Sequence, residues 1–181
     1  MKKLIGIVCL LAMPVLIESC FWIGDNCEEY TYKFSIQNFD LKVLDGSKPS
    51  PTPAPASAAP QVFVFLLTLD AKRVLNDRPT MGAFADCSPP SAVETINEFS
   101  ITSDHDLILP DSTLTAGSNL TTVFYSDYPV HIGEEVYETG HIFHLSFSVP
   151  TAQQHNFTFS ITLSDGRKFD LPTGTHELLP Q

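Results

Sequence analysis

Basic residues are scarce in this chain: 10 Lys and Arg stand against 21 Asp and Glu, a formal net charge of −11. A surface so acidic repels nucleic-acid phosphates and anionic headgroups, so nucleic acid is set aside as a partner. Cations and basic proteins suit that charge, and a solvated acidic surface is its plain reading. Tryptophan occurs once, against 13 Phe. That bias, with few charges, favours a β-rich core packed by cross-strand aromatics. Long apolar runs are missing: the stretch 4–17 falls short of the ~20 residues a spanning helix needs, and it contains Pro14 and ends at Glu18. No internal repeat of fixed period occurs. No Gly-x-Ser-x-Gly, Ser-x-x-Lys or phosphate-cradling glycine loop is present. A carboxylate pair for glycoside hydrolysis would be invisible at this level. The balance leans away from an enzyme, with no catalytic residue and no cofactor assigned.

The basic head Met1-Lys2-Lys3 followed by the short apolar run has the form of an export signal. Its end, Ile17-Glu18-Ser19-Cys20, resembles a bacterial lipobox: an aliphatic residue three before a cysteine and a small residue just before it. Glu18 departs from that pattern, whose middle position is small or apolar. The resemblance implies cleavage between Ser19 and Cys20 and lipid on the Cys20 sulfur, with two or more acyl chains for stable anchoring. Ordinary signal cleavage, giving a soluble secreted protein, is the alternative. Losing residues 1–19 removes two lysines and one glutamate, leaving the mature chain one unit more acidic.

Cys9 leaves with the signal and Cys20 is taken by lipid, so Cys27 and Cys87 remain as an even pair. An oxidising envelope favours a disulfide between them. Closing so long a loop is worth roughly 4 kcal/mol, less any native strain. Two free thiols are the alternative; a metal site lacks Cys-x-x-Cys or nearby His spacing.

After a tether at 20–29, residues 30–181 are expected to form one domain. Tyr30, Tyr32, Phe34 and Ile36 share a face, and the apolar parity flips at Phe39, Leu41 and Val43, which predicts a bulge near Gln37-Asn38. Residues 47–60 (SKPSPTPAPASAAP) read as a long exposed polyproline-like connection unable to make a ladder or a core. Val62 to Leu69 is apolar on both faces, the mark of a central strand covered on each side. Ile96 to Thr102 is a strand with Ile96 out of phase, and Ala116 to Phe124 is open between a short helix after a Ser118 or Asn119 cap and a strand. Phe143-to-Val149 and Phe157-to-Leu163 alternate clearly. Between Leu163 and Arg167, the hydrophobic register selects a three-residue loop with Gly166 left-handed, pairing Ile161 with Phe169 and Phe159 with Leu171. Pro172 stops that pairing or places it on an edge. About seven strands with little helix predict an all-β, antiparallel, immunoglobulin-like β-sandwich, with a small β-barrel as the alternative.

Six histidines invite a metal reading. His141 and His144 are three apart on a strand and point to opposite faces, so they cannot chelate together; His141 shares parity with Phe143 and reads as packing. Asp104, Asp106 and Asp111 offer hard oxygens without the glycine and terminal glutamate of an EF-type loop. Glu134, Glu135 and Glu138 form a second acidic cluster, and solvated loops explain both. No metal is assigned. Asp111-Ser112-Thr113 resembles the three-residue O-glycosylation signal of exported Bacteroides-type proteins, which would place a glycan on Ser112. Tyr125 and Tyr128 are the candidate ligand-contacting tyrosines, beside Trp22 and Tyr137.

Cys20 to Cys27, Tyr32-Lys33-Phe34-Ser35-Ile36, Phe99-Ser100-Ile101-Thr102-Ser103-Asp104 with Ala116-Gly117, and the terminal hairpin together resemble uncharacterised lipoproteins of Bacteroides-type bacteria that carry a domain of unknown function. The resemblance implies a protein anchored to the bacterial outer membrane through Cys20, on its periplasmic or its surface side, and supplies no activity. The expected function is a non-catalytic binding or structural module with a protein or glycan ligand. A small envelope hydrolase and an assembly subunit are the alternatives.

Overall fold

Alternating phenylalanines settle the architecture by needing two sheets to bury them. A computed structural model describes residues 33–74, 91–126, 130–134, 136 and 140–181, which fall within one compact unit. The signal, Cys20, Cys27, Cys87, Trp22, Tyr128 and Tyr137 lie outside the described residues. The strands are β1 (Lys33–Asp45), β2 (Ser57–Ala58), β3 (Phe63–Val74), β4 (Ser91–Ala92), β5 (Ile96–Ser103), β6 (Leu107–Ile108), β7 (Thr113–Leu114), β8 (Phe124–Ser126), β9 (Gly140–Leu145), β10 (Gln153–Leu163) and β11 (Lys168–Leu178).

One sheet has the order β4-β1-β3-β9-β8 and the other β2-β11-β10-β5, with β6-β7 a separate hairpin. Lettering the seven principal strands β1, β3, β5, β8, β9, β10 and β11 as A to G gives A-B-E-D against C-F-G. That is the strand order of an immunoglobulin constant-type sandwich. The sheets do not close, so the barrel alternative falls away.

Antibody domains fill the middle of this sandwich with a B–F disulfide against a strand-C tryptophan. Here phenylalanines occupy that space. Phe65 on β3 meets Phe157 and Phe159 on β10 at ring-centroid distances of 5.9 and 5.7 Å. Phe99 on β5 lies 5.5 Å from Phe143 and 6.2 Å from Phe159. Phe124 closes the cluster from β8, edge-on to Phe65 and Phe157 at 5.4 Å. Each buried ring is worth ~1.5–3 kcal/mol for its area, and well-set pairs add ~0.5–1.5 kcal/mol.

Two parity breaks resolve as bulges. In β1, Ile36 pairs with Ala71 and Asn38 with Asp70, leaving Gln37 as the extra residue where the sequence predicts a bulge. Ile36 and Phe39 thereby both point inward, 0% and 5% exposed. In β5, Glu98 pairs with Thr162 but Ile96 with Leu163, so Asn97 is extra and the out-of-phase Ile96 returns to the core. The 116–124 stretch divides its reading: a single 3-10 turn at Thr121–Val123, with Thr121 N–H donating to Asn119 Oδ1 at 3.1 Å, runs into β8 at Phe124.

The β10–β11 hairpin has the predicted register, Ile161 with Phe169 and Phe159 with Leu171. Gly166 has φ 86°, and its N–H donates to Leu163 O at 3.0 Å. Pairing continues past Pro172 to Leu178, with Pro172 on the outer strand where β2 does not reach. Leu163 N–H donates to Arg167 O, so the hydrogen-bonded pairs recur every second residue and Pro172 falls at a position whose missing N–H would face away from β10.

Two expectations are corrected. The Pro/Ala/Ser segment does make a ladder. Asp45 N–H donates to Thr52 O, Ala54 N–H donates to Val43 O, and then Ser57–Ala58 pairs parallel with Glu177–Leu178 of the other sheet. Proline withholds a donor only at its own position, so the residues between prolines remain able to bond. Pro60 is buried, and Ala54 and Ala58 pack against the core. The second correction concerns β3. Phe63, Phe65 and Leu67 are buried, whereas Val64 and Leu66 on the other face are only half-buried, so this strand is central but not covered on both sides.

Candidate functional site

The polar groups of the described residues are spent on holding loops and edges. Asp104 Oδ1 accepts the Asn156 N–H at 2.8 Å and lies 2.9 Å from His105 Nδ1. Burial works to raise its pKa, but those bonds and the nearby His105 hold it below the ordinary carboxylate value. Asp106 Oδ1 accepts the Ala116 N–H at 2.7 Å. Asp104 and Asp106 thus tie separate backbone points, and no group of three or more His, Cys, Asp or Glu suited to a metal occurs among the described residues. His131 pairs with Glu134 at 3.4 Å in the open. His141 turns inward onto Phe143, with ring centroids 6.4 Å apart, and His144 lies on the outer face, as their spacing requires.

One serine–histidine pair forms that the sequence did not reveal. Ser103 at the end of β5 and His155 in β10 lie 2.8 Å apart through Oγ and Nδ1. The Gln153 amide is fixed by two bonds to the Ile108 backbone, which leaves its Oε1 as an acceptor 3.3 Å from His155 Nε2. The ring proton therefore sits on Nε2, and the Ser103 hydroxyl donates to Nδ1. His155 is 1% exposed and stacks on Phe157. Burial holds its pKa below the ordinary histidine value, with the Asp104 charge opposing and His105 adding to the depression. A nucleophile must reach solvent to meet a substrate; this pair is sealed and serves as a tie between the 103–118 loop and β10.

A second unforeseen group is Glu94 with Arg167. Glu94 accepts from Ser35 Oγ at 2.7 Å, from Ile36 N–H at 3.0 Å and from Arg167 Nη2 at 2.9 Å. Burial pushes its pKa up, but those donors and the Arg167 charge outweigh it, so it stays below the ordinary glutamate value.

The outer faces of the two sheets differ in kind. On the β11-β10-β5 sheet the outward residues are hydroxylic and charged: Ser160 donates to Asp170 Oδ1 at 2.6 Å and Thr162 to Glu98 Oε2 at 3.1 Å. On the other sheet the register sets Leu44, Val64, His144 and Tyr125 in one row across β1, β3, β9 and β8. Lys42, Leu66 and Ile142 stand in the next row. Tyr125 is 56% and Ile142 40% exposed. This apolar sheet face is the candidate site. Tyr125, one of the candidate ligand-contacting tyrosines, stands on strand β8 at its rim. The signal for the face was present in the two-sided apolarity of Val62 to Leu69, which indicates contact without saying with what.

The β1 and β5 edges are poor docking sites by contrast. Along β1, β4 covers the start, Glu94 and Arg167 occupy Ile36, and residues 52–54 cover the end. The β5 carbonyls of Ile96, Ile101 and Ser103 accept from Gly133, Leu120 and Gly117. Ser112 sits exposed at the turn of the β6–β7 hairpin, where Leu109 N–H donates to Ser112 O at 2.8 Å. Comparison with protein-family models, with curated proteins and with solved structures gives no match to this chain.

Proposed function

We propose that this chain is a lipid-anchored protein of the bacterial outer membrane whose sandwich binds a partner without catalysis, through the outer face of the β4-β1-β3-β9-β8 sheet. The observation that carries the reading is the exposure of Tyr125 and Ile142 on a face they share with Leu44, Val64 and Leu66. Contiguous exposed apolar surface marks interaction sites more often than it occurs by chance on a solvated protein. A tyrosine at its rim adds apolar area with a polar tip, the combination enriched at interfaces. The flat, mainly aliphatic surface suits a protein better than a sugar, which would want stacked rings.

Anchorage rests on the basic head, the short apolar run and the lipobox-like Ile17-Glu18-Ser19-Cys20, with Cys20 thirteen residues before Lys33. The exposed turn supports Ser112 as the residue that carries a glycan. An affinity pull-down from envelope extracts tests the binding reading: wild type should enrich a protein that Ile142→Glu, with unchanged melting, does not. Equal recovery by both overturns it. Intact masses of wild type, Cys20→Ala and Ser112→Ala test the modifications, and an unmodified wild type removes both.

A further inference from the structure

We infer that the end of the β10–β11 ladder beyond its bulge is a latch that acid opens, with His155 and His176 as the groups that release it. The two histidines are Cα partners on neighbouring strands, so their side chains stand together on the inner face of the sheet. His155 is buried; His176 is half-buried, its ring edge-on to Phe63 of the facing sheet at 5.2 Å.

Neither ring has a place for a second proton. In His155, Nε2 donates to Gln153 Oε1, and a proton arriving on Nδ1 would confront the Ser103 hydroxyl proton. In His176, Nε2 donates to the Thr173 carbonyl at 3.2 Å, which leaves Nδ1 as the bare acceptor. That nitrogen is buried with no partner among the described residues, so a proton there would be a buried donor without an acceptor. Two charged rings on opposed residues would also repel.

The groups that face the pair do little to hold such a charge. β3 presents Phe63 and β5 presents Ser103. β2 brings Ser57, whose hydroxyl donates to Glu177 Oε2 at 2.6 Å. Glu177 follows His176 on β11 and so points to the other face. The loop after β5 brings Asp104, His105 and Asp106. Asp106 is bonded to the Ala116 N–H, and Asp104, which draws a proton toward His155, already serves the Asn156 N–H and His105. Burial outweighs that attraction and keeps His155 below the ordinary histidine value.

The ladder is broken just below the pair. Its register shifts between Asn156 and Thr158, Phe157 N–H donates to Thr173 Oγ1 instead of a carbonyl, and Gly174 is left-handed at φ 77°. Beyond the break, the segment is held by four residue pairs with β10, from Asn156–Thr175 to Gln153–Leu178. The Glu177 and Leu179 N–H groups bond the strap that carries β2. A segment past such a break can open while the hairpin below it stays paired. Opening wets both rings, which then bind protons as free histidines do, so falling pH favours the open form. Leu178, fully buried when the latch is closed, is uncovered. The inference stands apart from the binding face, which lies on the other sheet.

The test is hydrogen exchange of the full chain, read by mass spectrometry at about pH 7.5 and about pH 5 and corrected for the chemical pH dependence of exchange. Peptides covering 175–179 and 56–58 should lose protection about a hundredfold at the lower pH, about tenfold for each histidine. Residues 159–171 should keep theirs. His155→Gln and His176→Phe should each reduce the loss to about tenfold, because one titrating ring remains. His131→Phe, in the loop bonded to the start of β5 at the opposite end, should leave it unchanged. The ratio between the two pH values is the readout, so a variant that merely loosens the end does not move it. No loss in acid, an equal loss through 159–171, or the full loss retained in either His155→Gln or His176→Phe overturns the inference.

Discussion

Arg167 and Glu94, 2.9 Å apart, hold the two backbone groups of Ile36 between them: Glu94 Oε2 accepts its N–H and Arg167 Nη1 donates to its carbonyl. Ile36 immediately precedes the bulged Gln37, and β4 reaches only Lys33 and Phe34. A carboxylate and a guanidinium thus stand where a neighbouring strand would be. Arg167 is itself held by Asp165, through Nε at 2.6 Å and its own N–H at 3.0 Å. The tip of the β10–β11 hairpin is thereby fastened to β1 of the opposite sheet.

Removing Glu94 should be costly. Glu94→Ala strands the Ile36 N–H and leaves the half-buried Arg167 guanidinium with Asp165 as its remaining carboxylate, for an expected loss of about 2–3 kcal/mol. Glu94→Gln keeps the acceptor for Ile36 and should lose about half as much. Urea midpoints give the sizes, and a double-mutant cycle with Arg167→Ala gives the coupling. Additive effects of the two substitutions would show that they do not act together.

The phenylalanine cluster should respond more strongly than any surface change. Phe159 touches Phe65, Phe99, Phe124 and Phe143. Phe159→Ala opens a cavity between the sheets and should cost about 3–5 kcal/mol. Phe159→Leu should cost under half of that. A loss below about 1 kcal/mol by denaturant unfolding would mean that the core refills, contrary to the close packing of these rings.

Stability should fall with acid in two stages. His155 has a folded pKa below its ordinary value, so it is held neutral in the fold and the unfolded chain binds the proton more readily. Its contribution is full above the ordinary histidine value of 6.5 and is lost as pH falls from there through the folded pKa. Glu94 and Asp104 also have depressed folded values, so theirs is lost as pH falls below the ordinary carboxylate range. His155→Gln should flatten the first stage and leave the second. Thermal melts between about pH 2 and pH 8 read both stages; an unaltered first stage in His155→Gln would assign it to another group.

Local periodicity made part of this fold readable. The Gln37 bulge, the opposite faces of His141 and His144, and the hairpin register all follow from period-two alternation and loop length, which neighbouring residues determine. Glu94 and Arg167 were not readable: they are 73 positions apart and are needed because β4 stops at Phe34 and leaves that side of Ile36 without a strand. Ser103 and His155 are 52 apart and become adjacent through β5–β10 pairing. Val64 and Leu66 announced a contact but not its other side, so the candidate face appeared as core. The edge-covering prolines looked inert because what a chain segment bonds to depends on where its ends are fixed.

Under the export proposed above, Cys27 and Cys87 should be bridged in the isolated protein. Lys33 and Ser91 are Cα partners in parallel strands, with Cys27 six residues before the one and Cys87 four before the other. At ~3.3 Å per residue the two chains reach ~20 and ~13 Å from adjacent points, ample for the ~5.5–6 Å Cα separation of a disulfide. A thiol count under denaturing conditions should find neither cysteine reactive before reduction and both after it. Two reactive thiols in the unreduced protein would refute the bridge.

Residues 47–60 should matter for solubility more than their composition implies. Gly46 N–H donates to Val62 O at 2.7 Å, so the ends of the segment already lie together and a deletion of residues 48–59 can close without moving β1 or β3. A shorter loop lowers closure entropy by only ~0.6 kcal/mol per halving. Against that, β1 loses its bonds to Thr52 and Ala54, and β11 loses those from Glu177 to Ala56 and from Leu179 to Ala58. At ~0.5–1.5 kcal/mol per bond the deletion should destabilise by a few kcal/mol. It also bares the ends of two neighbouring strand edges, which are templates for pairing with other chains. The deleted protein should unfold at lower urea and scatter light on standing. A replacement of equal length with the prolines changed to serine should keep most of the stability, because the bonding groups belong to the residues between them. An unchanged urea midpoint with no added scattering in the deletion would return the segment to a passive spacer.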